Sequence, residues 1–160
     1  MVNLVIGKIN SGKSRFLEAH YARHQEGDGF VSRKIIDADN MIGFQSLRLT
    51  TGEALMWMIH ERYYRHDFIN PGRIGPYYYN ADLLFEIIRA YEEMIEKSVT
   101  PIYLDEVGQM ELDGQGFDTI MKRLAFYEGE SYIAVRRHLV NQVIDKYGLS
   151  DVRLIDVEEQ

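Results

Sequence analysis

The chain contains no cysteine, which excludes disulfides, thiolate metal sites and thiol nucleophiles together. Proline is scarce, at 3 in 160 residues, and no stretch has linker or low-complexity composition. No apolar run approaches the roughly 20 residues that a membrane span requires. The short run Val2–Ile6 lacks the basic lead of a secretion signal, so a cytoplasmic protein with no membrane partner is expected. There is no basic block either, and the formal net charge is −7. Sequence-independent nucleic-acid binding works by counterion release from a basic surface, so nucleic acid is not expected as the main ligand. A phosphate can still be held locally by a few backbone N–H groups and one lysine.

What is present is an ordinary globular composition, 46% hydrophobic and 27% charged, without repeats. One domain over residues 1–160 is expected. Val2–Ile6 is a short β-branched run that stops at Gly7, the pattern of a buried strand. Helical composition follows from Lys13 to about Gln25. Phe30–Asp37, Phe44–Thr51 and Ala54–His60 are strand-like runs separated by turn residues, and Arg73–Tyr79 offers one more after Asn70-Pro71-Gly72. Asn80-Ala81-Asp82 caps a helix to about Lys97, whose apolar positions recur at three and four. A strand Pro101–Asp105, a helix Phe117–Tyr127, a strand Ser131–Val135, a helix Leu139–Tyr147 and a strand Val152–Asp156 complete the chain. The alternation predicts an α/β fold: a mostly parallel central sheet flanked by helices, with an antiparallel β insertion at about 30–79.

Gly7-Lys8-Ile9-Asn10-Ser11-Gly12-Lys13-Ser14 matches G-x-x-x-x-G-K-[ST], the P-loop pattern, in full. The two glycines let backbone N–H groups wrap a phosphate where a side chain would intrude. The helix beginning near Lys13 points its positive end at the same place. Lys13 then reaches the β- and γ-phosphates, and the Ser14 hydroxyl is a ligand for Mg²⁺. A chance glycine turn would show the same four fixed residues, but not the strand just before and the helix just after. Residues 7–14, with Arg15 beside them, form the expected nucleotide-binding set.

Asp105-Glu106 ends the strand Pro101–Asp105. A carboxylate at a neighbouring strand tip can hold the Mg²⁺ hydration shell, and Asp105 is so placed. Glu106 can take the proton of an attacking water. Charged pairs after strands often just begin a solvated loop; the full P-loop upstream favours metal and base. Arginine can neutralise the charge that a phosphoryl transition state spreads over its oxygens. Arg136 and Arg137 follow the strand Ser131–Val135, where ligands bind if that strand is parallel to the first. Arg136 enters the expected catalytic set with Lys13 and Glu106; Arg137, Arg33 and Arg73 remain candidates, with salt-bridged surface arginine the competing explanation.

Other residues carry less. His20 and His24 lie four apart on a helix without a third ligand, and solvent exposure is expected for both. Tyr77-Tyr78-Tyr79 could stack a base or simply pack, and Trp57 with Met56 and Met58 reads as core.

With these residues in view, the chain resembles the thermostable nucleoside-triphosphatases, also called the cancer-related NTPase family. The resemblance rests on the P-loop strand, on Gly29-Phe30 and Gly43-Phe44 with Gly72-Arg73-Ile74-Gly75, and above all on Leu104-Asp-Glu-Val-Gly-Gln-Met-Glu-Leu112 followed by Phe117. It implies a P-loop fold and slow, Mg²⁺-dependent hydrolysis of ATP, GTP and other triphosphates with loose base preference. It also makes Glu111 a candidate for shaping the site, a capping or salt-bridged glutamate being the alternative. The chain departs from the family at Gln109, where a lysine is usual, at Arg15, in the loosely matching 134–138, and across 51–70, which matches poorly. A small-molecule or nucleotide kinase and a slow nucleotide-binding accessory protein are the other readings of the same motifs. No Asn-Lys-x-Asp guanine signature is present.

Overall fold

The computed structural model describes residues 1–159. The element order is β1 (Val2–Gly7), α1 (Lys13–His24), β2 (Asp28–Asp37), β3 (Asn40–Arg48), β4 (Ala54–His60), β5 (Pro71–Ile74), β6 (Tyr77–Asn80) and α2 (Ala81–Glu96). It continues with β7 (Ile102–Val107), α3 (Gln109–Leu112), α4 (Asp118–Leu124), β8 (Ser131–Arg136), α5 (Val140–Tyr147) and β9 (Val152–Asp156).

The strands form one mixed sheet in the order β5-β6-β4-β3-β2-β7-β8-β1-β9. The pairings from β2 through β7, β8 and β1 to β9 are parallel, and those from β2 outward to β5 are antiparallel. The insertion therefore does not stand apart as a hairpin layer. It prolongs the sheet, with β2 serving both halves: Asp28–Phe30 pairs with β7, and Phe30–Asp37 with β3.

Sequence pattern explains the parallel half. β1 is buried along its whole length and β7 and β8 along nearly all of theirs, as strands covered on both faces must be. Successive residues then feed opposite faces. Val5, Tyr103, Tyr132 and Ala134 pack with Leu17 of α1, while Leu4, Ile102, Leu104 and Ile133 pack with α2, α4 and α5. Helix α2 starts as its sequence predicts. The Asn80 side chain accepts from the Leu83 N–H at 3.1 Å, and Leu83, Ile87, Tyr91 and Met94 form the buried stripe.

Three expectations change. Arg73–Tyr79 is a two-stranded hairpin rather than one strand, because Gly75 takes a positive φ of 53° and Pro76 follows it. Met56 is exposed beside buried Trp57, since neighbours on a strand point to opposite faces. His20 is half-buried rather than solvent-facing, and its Nδ1 lies 2.7 Å from the Tyr103 hydroxyl. No helix among the described residues is long and apolar enough to cross a membrane.

Candidate active site

β1 delivers the chain to the C-terminal end of the parallel strands, where Gly7 stands opposite Arg136 of β8. The loop from Gly7 to Gly12 turns there into α1. A Cβ at Gly7 would come within 2.2 Å of Ser11 Oγ and 2.8 Å of Val157, so any other residue would have to displace both side chains. Gly12 has φ of 99°, a left-handed conformation that costs glycine nothing and lets α1 begin directly at Lys13.

Lys13 is buried, and its Nζ donates to the carbonyls of Lys8 at 2.8 Å and Gly7 at 3.3 Å. Burial pushes its ammonium below the usual lysine range. Glu106, whose Oε2 lies 3.9 Å away, pulls in the opposite direction.

The β7–β8 register slips between Leu104 and Val107, which frees Asp105 and Glu106 from the ladder at the strand end. Asp105 is buried and its carboxyl is pushed up to about 6, chiefly by that burial. The Ser32 peptide N–H donates to Oδ2 at 3.0 Å, and the Ser14 hydroxyl lies close by; both favour the ionised form. Ser14 and Asp105 thus present adjacent hard oxygen donors at the start of α1. Mg²⁺ takes such a pair together with phosphate oxygens and water, and a buried carboxylate gains from a neighbouring cation.

Glu106 is one-third exposed and stands between two cations, Lys13 on one side and Arg136 on the other. Arg136 Nε lies 3.1 Å from Glu106 Oε1, an ion pair without hydrogen-bond alignment, so that Nε–H keeps its hydrogen-bonding capacity. Lys13, the adjacent pair Asp105-Glu106 and Arg136 come from three separate stretches of the chain and meet at one place.

The remaining candidates separate from it. Arg137 turns away and pairs bidentately with Asp156 and also with Glu158. Arg33 pairs with Glu18 of α1, and Arg73 with Glu61 in the antiparallel extension. Tyr77, Tyr78 and Tyr79 pack on Phe44, Tyr64 and Trp57 respectively, in strand β6 far along the sheet from β1. Glu111 is buried and takes two peptide N–H groups, Gly108 at 2.8 Å and Phe117 at 2.9 Å. It caps α3 and ties the segment after β7 to the start of α4. Burial pushes its carboxyl up to about 7 against the effect of those N–H groups. The Leu104–Leu112 stretch is therefore half site and half scaffold.

Two contributors carry no sequence signal. The Ser32 contact uses a backbone N–H, which any residue would supply. The Lys8 N–H donates to Glu158 at 2.6 Å and Val157 N–H to the Ile6 carbonyl at 3.0 Å, so the segment after β9 braces the loop from outside.

A family described as NTPase matches residues 3–160. The chain is 25% identical over 159 residues to nucleoside-triphosphatase THEP1 of Thermotoga maritima, covering 98% of this chain and 86% of that protein. It is 27% identical over 136 residues to the protein of the same name from Thermotoga petrophila, covering 84% and 71%. Its fold is similar to the crystal structure of THEP1 from the hyperthermophile Aquifex aeolicus, with a TM-score of 0.72 at 19% identity over 98% of this chain and 90% of that one. It is also similar to the solution structure of a human cancer-related nucleoside triphosphatase, with a TM-score of 0.63 at 15% identity over 98% and 87%. With its P-loop strand and its Asp105-Glu106 strand end meeting at one point, the chain belongs to this nucleoside-triphosphatase family.

Proposed function

We propose that residues 1–160 act as one Mg²⁺-dependent nucleoside-triphosphatase unit, converting ATP or GTP, with loose base preference, to the diphosphate and phosphate. The observation that carries this reading is the position of Glu106, a carboxylate between Lys13 and Arg136 at the mouth of the P-loop. A carboxylate there can orient a water toward the γ-phosphate, and two cations flank the charge that develops.

Loop residues 7–15 bind the phosphates through their N–H groups. Lys13 exchanges its two loop carbonyls for β- and γ-phosphate oxygens. Ser14 and Asp105 would hold Mg²⁺, which would neutralise charge on the β- and γ-phosphate groups. Water forms its bond to the γ-phosphorus while the bond from that phosphorus to the β–γ bridging oxygen breaks. The water's proton passes to Glu106, and the electron pair of the broken bond stays on the β-phosphate. Arg136 has an unused Nε–H and offers it to the γ-phosphoryl oxygens.

Phosphate release with and without Mg²⁺, measured for wild type, Lys13→Ala and Glu106→Gln, tests the proposal. Both variants should lose most of the activity. Equal release by wild type and Glu106→Gln removes Glu106 as base. Stoichiometric phosphorylation of a metabolite in place of water would make the protein a kinase.

A further inference from the structure

Away from the P-loop, a cavity of about 410 Å³ lies between α1 and the edge strand β9. Phe16, His20 and Arg23 line it from the helix, and Arg153, Leu154 and Ile155 from the strand. Its volume is in the range that takes a small organic ligand. Beneath it runs a polar row across neighbouring strands, in register: Arg153 opposite Asn3, Asn3 opposite Tyr132, Tyr132 opposite Tyr103.

Polar residues are out of place in the middle of a doubly covered sheet, and their bonds are distributed in part, with Asn3 Oδ1 left without a partner among the described residues. Tyr103 OH meets His20 Nδ1, and the Asn3 amide donates to Glu130 Oε1 at 2.9 Å. Glu130 also meets the Tyr132 hydroxyl, so the acid near this row is engaged. Arg23 and Arg153, like Arg15, Arg62, Arg89 and Arg123, form no ion pair and no side-chain hydrogen bond among the described residues, and they differ from those in lining one cavity together. In a chain of net charge −7, acids for such pairing are plentiful. Two guanidiniums that line one cavity without an acid are suited to an oxyanion from outside, and Arg binds planar oxyanions bidentately. Phe16 and Ile155, whose side chain lies on the α1 face of the sheet, supply apolar walls. When the Tyr103 hydroxyl donates to Nδ1 of His20, Nε2 carries the ring proton and is a further donor.

We propose that the α1–β9 cavity is a second binding site, for a small ligand whose carboxylate or phosphate lies between Arg23 and Arg153 and whose apolar body rests on Phe16 and Ile155. The site is separate from Lys13, Glu106 and Arg136 and does not depend on their roles.

NMR titration of the full chain with benzoate, phenyl phosphate and, as the uncharged counterpart, benzyl alcohol tests it. The anions should give saturable shifts of the His20 ring and Ile155 methyl signals, and the alcohol none. Affinity should fall at least tenfold in Arg153→Gln and in Arg23→Gln, both at exposed positions whose replacement leaves the core intact. A response to benzoate alone assigns a carboxylate ligand, and to phenyl phosphate alone a phosphate ligand. Shifts confined to Gly12 and Lys13 would mean phosphate-loop binding only and overturn the proposal. So would equal binding by the alcohol, undiminished binding in both variants, or no response.

Discussion

The two halves of the sheet are built differently. In the parallel half, β1, β7 and β8 are buried on both faces and largely apolar, apart from the row Asn3, Tyr132 and Tyr103. Polar chemistry can then appear mainly where the strands end, and Lys13, Asp105, Glu106 and Arg136 all gather there. In the antiparallel half, β4, β5 and β6 mix half-buried and exposed residues, with aromatic pairs such as Trp57–Tyr79 and the surface ion pair Arg73–Glu61. That half supplies packing surface and, through the Ser32 N–H on Asp105, one direct contact with the site. Full burial concentrates function at an edge, and partial burial spreads ordinary contacts over a surface.

Mutation can sharpen or break this contrast. The largest effect is expected at the parallel strand ends: Glu106→Gln should lower kcat by about 10²–10⁴-fold, the usual contribution of a general base. Its melting temperature should stay near that of wild type, and steady-state kinetics with a thermal melt would check both. Next comes the middle of the same strands, where Ile133→Ala should cost about 2–5 kcal/mol in denaturant unfolding, since Ile133 is wholly buried.

Glu111 gives a smaller, pH-dependent effect. Its folded-state carboxyl is raised from 4.5 to about 7, so between those values the folded protein binds more protons than the unfolded chain. Its contribution is full below about 4.5 and is lost as the pH rises through about 7. Unfolding free energy should fall across that window in wild type, and Glu111→Gln should flatten the slope. An unchanged slope would assign the pH dependence to other carboxyls.

The smallest effect is expected in the antiparallel half. Arg73→Ala breaks an exposed pair and should cost under about 1 kcal/mol, with turnover unchanged. A tenfold loss of kcat in this variant would show that the extension takes part in catalysis and erase the contrast.

Legibility follows the same division. The P-loop could be read because its chemistry depends on consecutive residues: glycines at Gly7 and Gly12, cation and hydroxyl at Lys13 and Ser14. Asp105-Glu106 could be read because the apolar run Ile102-Tyr103-Leu104 stops at an acid pair. Arg136 and Arg137 could not be told apart. They are adjacent, and a strand end turns one toward Glu106 and the other toward Asp156. Glu111 sits inside a motif that resembles a site, yet its two N–H partners make it a cap. Tyr77–Tyr79 could have stacked a base until the strand order placed β6 far from β1.

The sequence by itself determined the phosphate-binding loop, the alternation of strands and helices, and the acid pair, because each depends on neighbours along the chain. Only the tertiary structure decided the strand order, the doubling of β2 between two halves, the Ser32 bond to Asp105, and which arginine meets Glu106. Those depend on pairing and packing between residues far apart in the chain, where burial and register select the partner and local pattern has no say.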